Sequence, residues 1–292
     1  MFPFGGDQVR YYPGDTWVYY KIYMGPMAVD DWLRGPFRDL LSNLDDSLEG
    51  YSYFFVRYMD PDFHIRLRIK LPVAKDFVKV IANMYKALLV LQFGDMWKVE
   101  ISTYTREMER YGKNIDVFER AFGVDSIFWI NVCQYIEDYD EFENIRWKLA
   151  LSSMYHYYND LMGSTDNWIP ILEACIDSLQ KEIKPTKSFL YQTDQKFRHH
   201  QDDLEKYISG ERIAALGLGV FFRNRSEGIK ELFGDMIVEK DFFNTSKGRQ
   251  NITDLVHMSL NRGLRSKHRV QEFVLYRYLL KLVRASKARG NL

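Results

Sequence analysis

The sequence predicts an α+β fold, in which a ferredoxin-like antiparallel β-sheet in the N-terminal part is followed by a mainly helical C-terminal part. Segments rich in alternating aromatic and β-branched residues recur up to residue 104, and two segments with helical spacing of apolar residues lie between them. From about residue 113 onward only the helical spacing is found. We therefore expect one domain, 1–292, in which a βαββαβ part, 16–112, carries a helical part, 113–292, packed on it.

The first half of the βαββαβ pattern is a strand, a helix and a second strand. The alternating segments Trp17–Met24 and Tyr51–Tyr58 predict the two strands. Between them, Asp30–Leu48 carries apolar residues three and four positions apart, which predicts an amphipathic helix that ends at Gly50.

The second half begins with a hairpin. The turn-forming segment Asp60–Asp62 separates Tyr51–Tyr58 from His64–Leu71, so these two segments are predicted to pair. The segment Val73–Phe93 has an apolar stripe at helical spacing and predicts the second helix. The fourth strand is predicted at Trp97–Tyr104, which completes the ferredoxin-like order.

The rest of the chain is predicted to be helical because its apolar residues recur with the period of an amphipathic helix. The predicted helices are Thr105–Tyr111, Val117–Phe122, Ser126–Tyr139, Phe142–Met162, Trp168–Lys181, Lys187–Ser209, Ile213–Glu239, Ile252–Asn261 and Gln271–Lys287.

The composition excludes several classes of protein. Basic and acidic side chains number 40 each, so the net charge is zero and direct binding of nucleic acid is not expected. No run of roughly 18 apolar residues is present and the first residues lack a secretory signal, so we expect no membrane span and a cytoplasmic location. Cys133 and Cys175 lack the paired spacing of a zinc site, and we expect both to be reduced thiols.

One candidate binding surface lies on the third predicted strand. Alternate residues of a strand share a face, so His64, Arg66 and Arg68 should point in one direction, with Arg57 of the neighbouring strand nearby. Guanidinium groups on one sheet face can bind a carboxylate or a phosphate with two parallel hydrogen bonds. The alternative is a solvated strand face with ion pairs at its rim.

A second candidate follows the fourth predicted strand. Helical spacing places Glu107 next to Arg110 and Tyr111. On spacing alone, this group is an exposed ion pair on a short helix that ends at Gly112.

A third candidate lies near the end of the chain. Asp254, His257 and Asn261 share one helical face, and a carboxylate beside an imidazole gives a group that can act as a general acid or base. The alternative is a hydrogen-bonded surface histidine.

The end of the chain is basic. Between His257 and Leu292 there are nine Lys or Arg residues and one acidic residue, Glu272. This segment is either a solvated final helix or a contact for a polyanion or an acidic partner, and the solvated helix is the more ordinary interpretation.

Four segments together resemble the C-terminal region of class I lanthipeptide dehydratases, also called the thiopeptide-type bacteriocin biosynthesis domain. They are WVYYKIY, FFVRYMDPDFHIRLRIK, ISTYTREMERYG and LVHMSLNR, which begin at Trp17, Phe54, Ile101 and Leu255. The resemblance covers nearly the whole chain from about Thr16, although the stretch from about residue 113 to 250 is similar only in length and helical character.

The resemblance implies an activity in the biosynthesis of ribosomal peptides. In this family, a large N-terminal domain transfers glutamate from glutamyl-tRNA to Ser or Thr of a precursor peptide. The C-terminal domain then eliminates glutamate and leaves dehydroalanine or dehydrobutyrine. The chain is therefore expected to be a stand-alone elimination enzyme, a lyase that acts on a glutamylated precursor peptide. Its expected partners are a separate tRNA-dependent glutamylation protein and a modification complex with a cyclase, and no metal or other cofactor is expected.

The resemblance also implies the catalytic residues, which are Arg68, Glu107, Arg110 and His257. The two arginines suit the glutamyl carboxylates and the enolate, and the histidine suits proton transfer. Whether Glu107 holds Arg110 in place or acts as an alternative base is left open by the sequence. The residues expected to contact the substrate are Arg57, His64, Arg66, Tyr111, Asn261 and Arg262.

Two other functions stay open from the sequence. Some stand-alone relatives join two dehydroalanines in a formal aza-[4+2] cycloaddition that forms a pyridine or piperidine core, and they look diverged at the elimination positions that are present here. The second alternative is a non-catalytic homologue that only binds a peptide.

Overall fold

A computed structural model describes residues 8–91, 95–136, 142–238 and 242–289 of the chain. The chain divides into two units, Met1–Gln134 and Tyr135–Leu292, which are described one at a time. Antiparallel sheets lie in the N-terminal part and helices follow, so the α+β prediction is confirmed. The expected single domain stays a prediction.

The described strands of the N-terminal unit form a four-stranded sheet and a two-stranded ribbon. In the sheet, the strand order is β3-β4-β2-β5 with every pair antiparallel, which is the ferredoxin-like order predicted from the sequence. The ribbon pairs β1 with β6 and was not predicted, because two-residue strands carry no readable period. The strands are β1 (Arg10–Tyr11), β2 (Trp17–Met24), β3 (Ser52–Met59), β4 (Phe63–Lys70), β5 (Met96–Ile101) and β6 (Tyr104–Thr105).

The first helices of this unit differ from the prediction in where they divide and begin. The predicted helix Asp30–Leu48 is two helices, because Pro36 has no N–H to continue the first helix and begins the next one. A 3-10 turn precedes α3, so this helix begins at Phe77 and not at Val73, and the predicted end at Phe93 lies outside the described residues. The helices are α1 (Pro26–Arg34), α2 (Pro36–Asp45), α3 (Phe77–Leu89), α4 (Met108–Tyr111) and α5 (Ile115–Ile136).

Helix α5 covers the outer edge of β3. The backbone N–H of Phe55 donates to Ser126 Oγ at 3.1 Å, and a Cβ atom on Gly123 would lie 3.1 Å from the Tyr53 carbonyl oxygen. Gly123 therefore lets helix and strand approach closely, and it does not break the helix. The predicted helices Val117–Phe122 and Ser126–Tyr139 are accordingly one helix as far as residue 136, and residues 137–139 lie outside the described part.

The described part of the second unit consists of helices and their connections, without a strand. Helix α6 contacts α7, α8, α10, α11 and α12 and lies at the centre of the unit. The predicted helix Ile213–Glu239 is interrupted at Gly217, whose φ of 71° is in the left-handed region, and Glu239 lies outside the described residues. The helices are α6 (Phe142–Met162), α7 (Thr165–Ile183), α8 (Lys187–Ile208), α9 (Glu211–Ala215), α10 (Gly219–Val238), α11 (Ser246–Gly263) and α12 (His268–Ala288).

Helix α11, which carries His257, has a well-defined start. The hydroxyl of Thr245 accepts a hydrogen bond from the backbone N–H of Gly248 at 3.1 Å, which caps the helix. Gly248 has no room for a side chain, because a Cβ atom would lie 1.9 Å from the Phe242 carbonyl oxygen.

None of the helices in the described parts of the chain is both long enough and apolar enough to cross a membrane.

Candidate functional site

The pleat of β4 separates its side chains as predicted. Ile65, Leu67 and Ile69 are fully buried on one face of the sheet. Arg66 and Arg68 lie on the other face, where both are partly exposed. The register places Tyr19 of β2 directly beside Arg68 on this face.

The guanidinium group of Arg68 lies among aromatic rings. It is 4.6 Å from the ring centre of Tyr19 and 5.1 Å from the ring centres of Phe54 and Tyr104. Its Nε atom is buried and has no hydrogen-bond partner among the described residues. No carboxylate of the described residues forms an ion pair with Arg68. Arg68 is therefore a cation held by ring quadrupoles, with donors left over for an anionic ligand.

The rings of Tyr19, Phe54 and Tyr104 form an aromatic cage around Arg68, and a buried polar network fixes Tyr104. Tyr104 donates from its hydroxyl to Glu119 at 2.7 Å, and Arg106 donates to the same carboxylate from Nε at 2.9 Å and from Nη2 at 2.6 Å. Burial raises the pKa of Tyr104 well above its ordinary value, so the hydroxyl stays a donor. Glu119 is thus bound by Arg106 and Tyr104, and within the described residues it forms no ion pair with Arg68.

Arg66 is held by two neighbours on the same face. Its guanidinium lies 3.4 Å from the ring centre of Tyr58, and its Nε donates to His64 Nε2 at 3.0 Å. The Nδ1 atom of His64 lies 2.8 Å from the Asp62 carbonyl oxygen and therefore carries the proton. Burial, and then the charge of Arg66, lowers the pKa of His64. His64 is fully buried, and its contact with Arg66 orients that side chain, whereas its expected contact with substrate stays a prediction.

The expectation for Arg57 is wrong in its geometry. Arg57 pairs with Ile65 across the hairpin, so it lies on the opposite face of the sheet from Arg66 and Arg68. There it forms a fully buried ion pair with Asp30 of α1. The hairpin turn sets this register, and the period of two then sends Arg57 toward the helices.

Glu107 and Arg110 form the ion pair that their spacing predicts. Arg110 Nη1 lies 3.1 Å from Glu107 Oε2, and the side chains are 44% and 47% exposed, so both remain accessible to a ligand. Tyr111 differs from the expectation, because it is buried and its ring stacks on Phe118 with the ring centres 4.4 Å apart. It packs in the core of its unit and is not part of a binding surface.

In the second unit, His257 lies between a carboxylate and an amide. Its Nδ1 atom is 2.9 Å from Glu272 Oε2, and its Nε2 atom is 3.0 Å from Asn261 Nδ2. The expected neighbour Asn261 is confirmed, but the carboxylate is not the expected one. Asp254 instead accepts a hydrogen bond from Gln250 at 3.2 Å on its own helix.

Glu272 is itself fixed by Arg269. The Nη1 atom of Arg269 lies 2.8 Å from Glu272 Oε2, and two further donors of Arg269 bind both oxygens of Glu182 at 3.0 and 2.5 Å. The hydrogen bond from Arg269 lowers the pKa of Glu182. His257 therefore stands at the end of a chain of charged groups from three helices, α7, α12 and α11.

The remaining expectations in this unit concern basic residues. Arg262 was expected to contact the substrate, but it is fully buried because it faces the core of the unit one turn beyond His257. The basic side chains at the end of the chain face acidic residues of α7 and α8, which neutralise them within the unit. The pairs are Arg269 with Glu182, Arg277 and Lys281 with Asp194, Arg284 with Glu173, Lys287 with Asp166, and Arg289 with Glu205.

Among the neighbours of Arg68 and His257 that were missed from the sequence are Tyr19, Phe54, Tyr104 and Glu272. The alternation of β2 and β3 could have placed Tyr19 and Phe54 beside Arg68, had the register been known. Glu272 had a signal of its own, since it is the one acidic residue in the basic end of the chain. Within the described residues, no group of three or more His, Cys, Asp or Glu side chains is arranged to hold a metal ion.

Comparison with solved structures places this fold among known proteins. The chain superposes over its whole length on 29% of the tRNA-dependent lantibiotic dehydratase MibB from Microbispora sp. 107891, with a TM-score of 0.72 and 19% identity. It also superposes over 95% of its length on the pyridine synthase TbtD from thiomuracin biosynthesis, with a TM-score of 0.61 and 9% identity, and covers 100% of that chain. At these identities the likeness is one of fold.

Comparison with known sequences gives the family. The nisin biosynthesis protein NisB of Lactococcus lactis subsp. lactis is 27% identical over 279 residues, which are 90% of this chain and 25% of NisB. The chain thus spans about a quarter of the length of this relative. The family described as lantibiotic biosynthesis dehydratase C-term matches residues 17–283. This match extends over most of the chain, which therefore belongs to the lantibiotic dehydratase C-terminal family.

Proposed function

We propose that this chain eliminates glutamate from glutamylated Ser or Thr residues of a ribosomal precursor peptide and so forms dehydroalanine or dehydrobutyrine. The observation that carries the proposal is Arg68, a cation surrounded by aromatic rings. Its buried Nε atom has no hydrogen-bond partner in the part of the chain that the structure describes. The glutamyl group of such a peptide contains a carboxylate, which a guanidinium group can bind with two parallel hydrogen bonds.

The reaction is a β-elimination. A base removes the proton from Cα, the Cα–Cβ double bond forms, and the bond from Cβ to the ester oxygen breaks. The bonding electrons leave with that oxygen, so glutamate departs as a carboxylate and no cofactor is needed. Negative charge grows on oxygen in the transition state, where a preorganised donor such as Arg68 contributes several kcal/mol, on the order of 3, by analogy with oxyanion holes.

The other catalytic roles follow from the contacts of each residue. His257 supplies the base, since its Nδ1 atom faces a carboxylate at 2.9 Å and its side chain is 29% exposed. Arg110 supplies a second cation for the carboxylates or the enolate, and Glu107 at 3.1 Å holds it in place. That ion pair favours the positioning role of Glu107 over its use as an alternative base.

The proposal extends to substrate contacts and partners. Arg66 is partly exposed, fixed by Tyr58 and His64, and suited to bind an acidic group of the peptide. Asn261 contacts the base and is suited to bind the peptide beside it. We assign the tRNA-dependent glutamylation to polypeptide outside these 292 residues, and a cyclase would use the dehydrated residues that this chain produces.

The test is to give the purified chain a peptide that already carries glutamate esters on Ser and Thr. Loss of the glutamyl mass together with a double bond in the peptide is the expected result. A peptide that keeps its glutamate would contradict the proposal. A chain that instead cyclises a peptide with two dehydroalanines would be a cycloaddition enzyme, and one that only binds the peptide would be a non-catalytic homologue.

A further inference from the structure

The environment of His257 decides which of its ring nitrogens carries a proton. The Nδ1 atom faces Glu272 Oε2 at 2.9 Å, and a carboxylate oxygen can only accept a hydrogen bond. In the neutral ring, Nδ1 must then carry the hydrogen, which leaves the lone pair on Nε2. Asn261 Nδ2 lies 3.0 Å from Nε2 and can donate to that lone pair, so it selects the same tautomer as Glu272. Arg269 Nη1 lies farther from Nδ1, at 3.5 Å, and donates to Glu272 Oε2 at 2.8 Å.

Glu272 is held so that it cannot turn away from the imidazole. It is only 3% exposed, and Arg269 binds the same oxygen that faces His257, with Nη1 at 2.8 Å. Arg269 is in turn fixed by two hydrogen bonds to Glu182 near the end of α7. The Glu272 carboxylate next to His257 is therefore held in place by Arg269 of α12, which is itself bound to Glu182 of α7.

We propose that Glu272 is a positioning residue that fixes His257 as the Nδ1–H tautomer, with Nε2 as the basic nitrogen, and stabilises the imidazolium that proton abstraction creates. This inference rests on the proposed function of His257 as the base. Glu272 acts only through His257, in the way that a buried carboxylate orients the imidazole of a hydrolase triad.

The first test needs no substrate and measures the protein with its native Glu272. Ring-nitrogen NMR of the full chain labelled at its six histidines reports which nitrogen of His257 is protonated, and the His257 signals are identified by their loss in His257→Gln. We expect the Nδ1–H tautomer in the neutral ring. An Nε2–H tautomer would overturn the proposal, whatever the catalytic activity of the chain.

The second test uses Glu272→Gln, which keeps the shape of the side chain but removes its charge. We expect kcat for elimination from a pre-glutamylated peptide to fall ~10- to 100-fold with KM unchanged, by analogy with the loss of the carboxylate partner of a metal-bound imidazole. The matched control is Glu173→Gln, which removes the α7–α12 ion pair with Arg284 roughly 13 Å along α7 from Glu182. This control should keep the native kcat.

An unchanged kcat in Glu272→Gln would overturn the proposal, as would an equal loss in Glu173→Gln. If the native chain itself eliminates no glutamate, the proposed function fails, while the tautomer of His257 still decides the positioning role. The same measurement on native protein decides it if Glu272→Gln does not fold.

Discussion

Replacing Arg68 with Lys should slow glutamate elimination ~10- to 100-fold in a protein that stays folded. The lysine keeps the positive charge and can still lie over the rings that stand 4.6–5.1 Å from the guanidinium. It cannot present two parallel N–H donors to a carboxylate, because an ammonium group is a point charge.

The magnitude follows from one lost hydrogen bond. A hydrogen bond to a charged group contributes about 1.5–3 kcal/mol, and each 1.36 kcal/mol of transition-state stabilisation is tenfold in rate. The effect on folding should be smaller. Arg68 takes part in no ion pair of the described residues, and each ring contact contributes only ~0.5–1 kcal/mol and is retained in part by lysine. We expect the free energy of unfolding to change by less than ~1 kcal/mol.

The assay is the rate of glutamate release from a pre-glutamylated peptide, followed by mass, with urea unfolding measured on the same samples. Arg120→Lys is the matched control, since Arg120 is an exposed arginine on α5 of the same unit. Native turnover in Arg68→Lys would refute the role of the cage. An equal loss of turnover in Arg120→Lys would show that the effect is not specific to Arg68.

Three further outcomes are expected. His257→Ala should leave the Kd for the glutamylated peptide nearly unchanged and lower its turnover by ~10²- to 10⁴-fold, so that this peptide accumulates; turnover at the native rate would remove His257 from the reaction. Burial lowers the pKa of His156 to about 4 from 6.5, so the unfolded chain binds more protons between these values. The free energy of unfolding should therefore fall as the pH drops from 6.5 to 4, by up to roughly 3 kcal/mol; urea unfolding at both pH values checks this, and an undiminished fall in His156→Gln would contradict it. Asp30→Ala leaves Arg57 charged and buried and should cost about 3–5 kcal/mol of stability. Asp31→Ala, which removes an exposed carboxylate next to it, should change stability by less than ~1 kcal/mol; equal effects of the two substitutions would contradict the buried pair.

Local sequence patterns predicted the elements and the faces of single strands. The alternation in β4 correctly separated Ile65, Leu67 and Ile69 from Arg66 and Arg68, because a side-chain period of two needs no knowledge of other segments. For the same reason, the helical spacing of Glu107 and Arg110 was enough to predict their contact, and the two side chains form an ion pair at 3.1 Å. The segment order before residue 105 likewise gave the ferredoxin-like topology.

Misplaced element boundaries had local causes. The break between α1 and α2 at Gly35 and Pro36 was readable, since proline cannot continue a helix from the preceding residue. The predicted helices Val117–Phe122 and Ser126–Tyr139 left Gly123 in the gap between them, but this glycine sits inside α5 where the helix touches β3. A glycine that ends a helix and a glycine that permits close packing look alike until the neighbour is known.

By itself, the sequence determined the order of strands and helices, the face that presents Arg66 and Arg68, and the likeness to the dehydratase family. Only the tertiary structure decided the partners of the charged groups. The hairpin register turned Arg57 toward Asp30, and the packing of α12 against α11 gave His257 Glu272 in place of Asp254. The physical reason is the distance along the chain over which each effect acts. Periodicity fixes neighbours within one element, whereas a buried charge takes whichever opposite group the packing of distant segments brings within about 3 Å.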